Sequence, residues 1–289
     1  MKKELIILSG FLGSGKTTIL LSLLAKNAGK KIAVIVNDFG QTAVDATILE
    51  KEQVREKIYE IGGGSVFCSC LSETLVKTLF AIAKEDFDLV ILEASGMSDP
   101  SIINSMLSLA KLDTYFTHSL TLCTFDAIKS LKLAKVLLVI ERQLTSANIV
   151  ILTKADKYSE EELNTAIKFI QEKEPAVPII KSYNGEFSLD NISCRFDLPY
   201  FSMGLNKPDN RLDSFELEEV SYTLDELLQK FQDNNILRVK GYIKTSDGVW
   251  FISDTGTDYY KEKSTELKVP LTIICMQGTA NYIKKIINS

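Results

Sequence analysis

The sequence has little of several features that would assign it to other classes of protein. It contains one histidine, and none of its apolar runs approaches the roughly 18 uncharged residues that a membrane-spanning helix requires. Positive charge is not in excess, because 33 Lys and Arg residues stand against 38 Asp and Glu residues, for a net charge of −5 at pH 7. That balance provides no electrostatic surface for nucleic acid or for an anionic membrane. We therefore expect neither of them as a partner.

Cysteine is also scarce. The chain has five cysteines, an odd number, and Cys68 and Cys70 are separated by a single residue. This pattern indicates reduced thiols rather than a disulfide framework.

The N-terminal segment does not fit the pattern of a secretory signal peptide, because Ser9 and Gly10 interrupt the first apolar run and Lys16 follows. We expect a cytoplasmic location.

The length and the apolar pattern predict two domains. With 289 residues, 45% hydrophobic and 25% charged, the composition is typical of a globular protein. Strand-like runs alternate with helical ones in the first part, which predicts an α/β domain with a mostly parallel sheet flanked by helices. The predicted strands are residues 5–8, 31–36, 90–92, 120–125, 149–152 and 177–180. Helices are predicted near residues 73–84 and after Ser159, whose spacing from Glu162 fits a capping box.

The second domain is predicted to be small and of the α+β type. Asn, Asp, Ser, Gly and Pro cluster from about Tyr183 to Leu212, so we assign residues 1–185, 186–212 and 213–289 to the first domain, a connection and the second domain. In the second domain we expect a strand over 215–222, a helix capped by Thr223, a hairpin around Asp247, a strand over 271–275 and a terminal helix.

A glycine-rich loop joins the first predicted strand to the first predicted helix. It fits the pattern G-x-x-x-x-G-K-[ST], in which the backbone N–H groups and the N-terminus of the helix bind phosphate groups. Lys16 is expected to reach the β- and γ-phosphates, and Thr17 to offer its hydroxyl to Mg²⁺. The predicted nucleotide-binding residues of this loop are Gly10, Gly13, Ser14, Gly15, Lys16, Thr17 and Thr18.

Two further segments fit the sensing of a γ-phosphate. Glu93 ends an apolar strand and is followed three residues later by Gly96, whose N–H is expected to approach the γ-phosphate. Asp38 lies in an Asn-Asp-Phe-Gly segment that ends the second predicted strand, at the edge where open α/β sheets bind ligands. We predict that Lys16, Glu93 and Gly96 carry hydrolysis. Thr17, Asp38 and Glu93 are predicted to bind Mg²⁺ or to act as switch residues.

We assign selection of the nucleotide base to the sequence Thr-Lys-Ala-Asp, which follows the strand at 149–152. Guanine-binding P-loop proteins have Asn-Lys-x-Asp at this place, with the aspartate accepting hydrogen bonds from the ring N–H and the exocyclic amine. Here Asp156 retains that contact, and Lys154 is expected to pack its stem on the base. Thr153 replaces the usual asparagine, at the loss of one amide.

Taken in order, these segments resemble a CobW-type member of the CobW/HypB/UreG family of P-loop GTPases. The resemblance spans nearly the whole chain and is carried by GFLGSGKTT from Gly10, NDFG from Asn37, EIGGGSVFC from Glu60, EASGMSDP from Glu93, TKAD from Thr153 and LRVKGYI from Leu237. It implies a GTPase with GTP and Mg²⁺ as cofactors that takes part in metal delivery or metallocentre assembly. The implied partner is a client metalloenzyme or a cofactor-assembly protein.

The metal-binding segment departs from the family pattern. CobW-type proteins usually carry Gly-Cys-x-Cys-Cys, but the aligned sequence from Gly64 keeps only Cys68 of the three thiols. Cys70 partly restores a pair, and two thiolates suit Zn²⁺ or Co²⁺. The alternative is that both are unligated thiols. Cys123 and Cys275 lie in apolar strands and are expected to be core residues, and the single histidine, His118, precedes a predicted strand.

Three functions remain open at this level. The first is a GTP-hydrolysing switch coupled to metal or metallocofactor handover, slow on its own because no obvious arginine finger follows the P-loop. The second is a nucleotide-gated regulatory module for a cobalt or corrinoid enzyme, without its own thiolate site. A P-loop kinase of small molecules is the third and the least supported. The sequence leaves the oligomeric state open, a nucleotide-dependent dimer included.

Overall fold

The computed structural model describes residues 2–36, 56–60, 69–190, 192, 212–233, 235–256 and 259–288. These residues form two compact units, the first built on a seven-stranded sheet and the second on a five-stranded sheet. Much of the connection between them lies outside the described residues, so the bounds 1–185, 186–212 and 213–289 stay predictions. No helix among the described residues is long and apolar enough to cross a membrane.

The first sheet is parallel throughout and confirms the α/β fold expected from the sequence. Its strand order is β3-β2-β4-β1-β5-β6-β7. Strands with both faces covered are expected to be continuous apolar runs, and β1, β2, β4 and β6 have this character. The strands are β1 (Lys3–Gly10), β2 (Ile32–Val36), β3 (Glu56–Glu60), β4 (Leu89–Glu93), β5 (Phe116–Asp126), β6 (Ile149–Thr153) and β7 (Ile179–Lys181).

Helices provide the crossovers that parallel strands require. They are α1 (Lys16–Lys26), α2 (Ser69–Lys84), α3 (Pro100–Leu109), α4 (Lys129–Ala134), α5 (Leu138–Thr145) and α6 (Glu160–Lys173). The capping box predicted at Ser159 is present, with Ser159 and Glu162 bonding each other's backbone N–H groups. One part of the core joins Ile7, Val90 and Leu79, from the centre of the sheet and from α2.

The strand register brings the functional loops to one edge of this sheet. Leu8 pairs with Glu93, so the loop after β1 and the acidic end of β4 emerge side by side. Asp126 pairs with Thr153 at the ends of β5 and β6. Because all the strands are parallel, their carboxyl ends form the crevice in which such sheets bind ligands.

The second unit is an antiparallel sheet with two helices, as the sequence predicted. Its strand order is β11-β10-β9-β12-β8, and the β9–β10 hairpin turns at Asp247. The predicted capping box of Thr223 and Glu226 is present. The elements are β8 (Asp213–Leu217), α7 (Leu224–Lys230), β9 (Ile236–Thr245), β10 (Gly248–Asp254), β11 (Tyr259–Ser264), β12 (Leu271–Cys275) and α8 (Ala280–Asn288).

Some element bounds differ from the sequence prediction. The strand expected over 215–222 ends at Leu217, because β12 offers pairing partners only as far as that residue. The strand expected over 120–125 starts four residues earlier, at Phe116, where it pairs with Lys3. His118 therefore lies within β5 rather than before it. Strands β3 and β11 and helices α3, α4 and α5 were not predicted.

Candidate nucleotide site

The loop after β1 adopts a backbone that only glycine accommodates easily. Gly10, Gly13 and Gly15 have φ angles of 136°, 74° and 90°, within the region that L-residues rarely occupy. Gly15 is also the N-cap residue of α1, and as a glycine it has no side chain to cap the first turn of that helix. The N-terminus of α1 therefore offers its N–H groups and its positive dipole end to an anion.

Close packing under the loop fixes its position. A Cβ at Gly10 would lie 2.1 Å from Thr124 Oγ1, so no larger residue fits there. Thr124 Oγ1 donates to the carbonyl of Ser9 at 3.1 Å and lies 2.6 Å from Ser14 Oγ. Both the hydroxyl and the N–H of Ser14 bond to the carbonyl of Phe11, at 2.7 and 3.1 Å. The polar groups of this serine thus hold the loop in shape.

Lys16 and Thr17, the first residues of α1, carry the charged and the hydroxyl groups of the site. Lys16 Nζ donates to the carbonyls of Gly10 and Phe11, at 3.0 and 3.3 Å, so its ammonium group lies over the loop. Thr17 Oγ1 donates to Glu93 Oε1 at 3.3 Å. A hydroxyl and a carboxylate this close are the hard oxygen donors that fit Mg²⁺. Asp38, the third residue predicted for this role, lies outside the described residues.

The segment after β4 lies directly against the loop; we call residues 94–99 the switch segment. Ala94 N–H donates to the carbonyl of Leu8 at 2.9 Å, which continues the pairing of β4 with β1. A Cβ at Gly96 would lie 2.6 to 2.9 Å from atoms of Leu12, including its backbone nitrogen. Glycine is therefore required at position 96 for the switch segment to approach the phosphate loop this closely.

Thr153 lies at the end of β6, where the usual residue is asparagine. Its hydroxyl bonds to backbone carbonyls of the protein. Its side chain is buried, and Oγ1 donates to the carbonyl of Ser14 at 2.8 Å, with the carbonyl of Phe125 at 3.3 Å. The hydroxyl thus connects residues 153–156, which the sequence predicts to read the base, to the loop after β1.

Lys154 is held by a residue that the sequence analysis did not single out. Its φ is 58°, and its Nζ lies 2.8 Å from Oδ2 of Asp126, which is fully buried. The other oxygen of Asp126 accepts hydrogen bonds from Lys129 N–H and Tyr158 Oη, each at 2.9 Å, and from Ile128 N–H at 3.1 Å. Asp126 ends an apolar strand, as Glu93 does, and that shared position is the signal that could have identified it.

Asp156 is exposed, and its Oδ1 accepts a hydrogen bond from Asn184 N–H at 2.8 Å. Asn184 and Gly185 both have positive φ, of 50° and 87°, in a tight turn closed by pairing of Tyr183 with Glu186. The sequence analysis placed the start of the inter-domain connection here. The hydrogen bond from Asn184 fixes the position of the carboxylate that the sequence predicts to read the base.

Of the two predicted thiol ligands, Cys68 lies outside the described residues, and Cys70 lies in the first turn of α2. Within the part of the chain that the structure describes, no three His, Cys, Asp or Glu residues group as a metal site. Cys123 and Cys275 are buried, as expected of core residues. Burial raises the pKa of the Cys123 thiol to about 12 and also raises the pKa of Cys275, which disfavours the thiolate that a metal would need.

The sequence of this chain resembles those of several known proteins. Residues 4–181 match the family model CobW/HypB/UreG, nucleotide-binding domain. The chain is 30% identical over 230 residues to zinc-regulated GTPase metalloprotein activator 1 of Dictyostelium discoideum, covering 66% of this chain and 48% of that protein. It is 25% identical over 295 residues to the zinc chaperone CobW of Pseudomonas aeruginosa, covering 83% and 76%.

Among solved structures, the Zn(II)-bound YjiA GTPase from E. coli superposes with a TM-score of 0.48 at 19% identity, over 99% of this chain and 98% of that one. The chain spans about half the length of the Dictyostelium relative and about three quarters of the Pseudomonas one.

Proposed function

We propose that this chain, which belongs to the CobW/HypB/UreG family, is a Mg²⁺-dependent GTPase that couples its nucleotide state to delivery or insertion of a metal or metallocofactor. The observation that carries the proposal is the contact of Thr17 with Glu93, beside Lys16 and the start of α1, whose N-cap residue is a glycine. Together these groups would provide the phosphate and cation contacts that phosphoryl transfer requires.

Each residue has a role that its position supports. Lys16 would exchange the carbonyls of Gly10 and Phe11 for the β- and γ-phosphates. Thr17 and Glu93, with Asp38, would hold Mg²⁺, which neutralises charge on the phosphates when bound. Gly96 would present its N–H to the γ-phosphate, and Asp156 would select guanine. Hydrolysis would be slow without a partner or metal, because positioning alone supplies little of the transition-state stabilisation.

Zinc is the metal that the relatives favour, since they are named as zinc-regulated or zinc chaperones. Cys68 and Cys70 are the proposed ligands, with Co²⁺ as the other candidate ion. The client would be a metalloenzyme or a cofactor-assembly protein. The odd number of cysteines supports a reducing, cytoplasmic compartment.

Nucleotide binding is tested with Lys16→Ala. This variant should lose binding of a non-hydrolysable GTP analogue by calorimetry and keep its circular dichroism spectrum, because Lys16 supplies charge rather than core packing. Lys30→Ala is the matched control, since the side chain of that lysine makes an exposed ion pair with Glu4 away from the loop. Unchanged affinity in Lys16→Ala would refute the phosphate-loop assignment.

Metal handling is tested by competitive chelator titration of Zn²⁺ and Co²⁺. Wild type and Cys68→Ser/Cys70→Ser are compared with GDP and with the GTP analogue, and Cys275→Ala serves as the control for a buried thiol. We expect the wild type to bind the ion more tightly in the triphosphate state, by roughly 5- to 150-fold if the coupling is typical.

The same experiments distinguish the alternative functions. Equal metal affinity in wild type and the double cysteine variant would favour the nucleotide-gated regulatory module, which the loss of two family thiols already supports. Equal affinity in both nucleotide states would separate the switch from metal handling. Phosphate transfer to a small acceptor, in place of release to water, would favour the kinase.

A further inference from the structure

Helix α5 touches the switch segment through a buried amide. Gln143 is 1% exposed, and its Nε2 lies 3.1 Å from the carbonyl oxygens of both Gly96 and Ser98. A primary amide has two N–H donors, so one side chain can satisfy both carbonyls. Its Oε1 has no hydrogen-bond partner among the described residues. The contact is thus made by the donors of Gln143 alone.

The neighbouring residue holds the end of the same segment. Arg142 Nη1 lies 3.1 Å from Oδ2 of Asp99, whose side chain is 7% exposed. The other oxygen of Asp99 accepts the N–H of Ser101 at 3.0 Å and so caps helix α3. Asp99 is therefore fixed at once by α3 and by α5.

The opposite side of the switch segment rests on the phosphate loop. Gly96 packs so closely on Leu12 that even a methyl group has no space. Ser98 N–H donates to the carbonyl of Ser95 at 2.9 Å, which closes a turn. Because N–H and C=O point in opposite directions across a trans peptide, that bond directs the N–H of Gly96 away from the turn. The orientation of this N–H thus depends on how the turn is held.

We propose that Gln143 and Arg142 are positioning residues that hold the switch segment against the phosphate loop and so determine how strongly the chain distinguishes GTP from GDP. The proposal rests on the proposed function. Neither side chain needs to touch the nucleotide. They act through the peptide units of Gly96 and Ser98 and through Asp99, and only the triphosphate has a γ-phosphate for this segment to contact.

The test measures the affinities of the full chain for GDP and for a non-hydrolysable GTP analogue, both with Mg²⁺. Gln143→Met removes the two donors at similar side-chain length. We expect the affinity for the analogue to fall about 3- to 30-fold, while GDP affinity changes less than about twofold. Arg142→Gln, at a less buried position, should act in the same direction and keeps the test valid if Gln143→Met does not fold.

Leu144→Ala is the control for stability, because Leu144 is fully buried on the same helix and is adjacent to Gln143. It should lower the melting temperature without altering the ratio of the two affinities, measured well below the melting transition. An unchanged ratio in both Gln143→Met and Arg142→Gln would overturn the positioning role while leaving the GTPase proposal intact. A wild type that binds neither nucleotide would overturn both proposals.

Discussion

Lys154 and Asp126 form an ion pair of 2.8 Å between Nζ and Oδ2, in which the aspartate is fully buried and the lysine side chain is 11% exposed. The pair joins the ends of β5 and β6. It holds Lys154 in a left-handed backbone conformation, two residues before the carboxylate that we assign to base selection. Replacing a buried pair of this kind by apolar residues is often neutral, whereas removing one of its members is strongly destabilising.

Asp126→Asn should weaken binding of GDP and of GTP to the same degree, because the base is common to both nucleotides. The free energy of unfolding should fall by about 3 kcal/mol, since breaking a buried ion pair by removal of one partner is strongly destabilising. Calorimetric titration and urea denaturation measure the two effects. Tyr158→Phe is the matched control. It removes one hydrogen bond to the same carboxylate and should cost about 1 kcal/mol. Wild-type nucleotide affinity in Asp126→Asn would contradict this assignment.

Asp156→Asn should shift the base preference from guanine towards xanthine. The carboxylate can accept from both the ring N–H and the exocyclic amine of guanine, whereas an amide places a donor opposite one of these groups. Xanthine has a carbonyl in place of the amine and accepts that donor. Mismatches of buried polar groups discriminate strongly, so we expect at least about a tenfold change in the GDP to XDP affinity ratio. A wild type that prefers ATP in competition would refute the base-reading model.

The parts of the fold that the sequence predicted are those with a local signal. A local signal lies in residues that are neighbours in the sequence. It is present in the phosphate loop, both capping boxes and the apolar strands β1, β2, β4 and β6. Strands β3 and β11 lack an apolar pattern, because their sequences, EKIYE and YYKEKS, contain three charged residues each. Both are edge strands, held by backbone pairing on one side. Helix α3 had the local Asp-Pro signal at its start, and the sequence analysis overlooked it.

The residues of the candidate site also divide into those with a local sequence signal and those that depend on distant contacts. Lys16, Thr17 and Glu93 are recognisable because their chemistry is read from a short motif or a strand end. The roles of Asp126, Gln143 and Asn184 depend on contacts between residues 28 to 47 positions apart. No local pattern encodes such distances, so only the tertiary structure reveals Gln143 and Asn184. Asp126 did have a local signal, its position at the end of an apolar strand, which the sequence analysis overlooked.

Ionisation of Cys123 should make the fold less stable at alkaline pH. Burial raises the pKa of this thiol from 9.0 to about 12, so above pH 9 the unfolded chain loses this proton before the folded chain does. The stability that the protonated Cys123 thiol contributes is complete below pH 9 and is lost as the pH rises towards 12. Between pH 8 and pH 10 the wild type should lose about 1.4 kcal/mol more than Cys123→Ala, by urea denaturation. Equal losses would show that the thiol ionises alike in both states.

Gly185→Ala should impair both stability and nucleotide binding, and Gly29→Ala should impair stability alone. Both glycines have positive φ, of 87° and 103°, so each substitution should cost about 1 kcal/mol of backbone strain. A Cβ at Gly29 would meet no atom within 4 Å, but a Cβ at Gly185 would lie 2.7 Å from Thr18 Cγ2. The clash would push the turn of Asn184 away from α1 and with it the hydrogen bond to Asp156.

Thr18→Ser separates the clash from the strain, because serine lacks the Cγ2 methyl group but keeps the hydroxyl. The double variant Gly185→Ala/Thr18→Ser should therefore regain most of the GDP affinity that Gly185→Ala loses, while its melting temperature stays lowered by the positive φ. Calorimetry and thermal denaturation of the four variants and wild type give both quantities. If Gly29→Ala and Gly185→Ala lowered GDP affinity equally, the turn at residues 183–186 would have no part in orienting the base-reading loop.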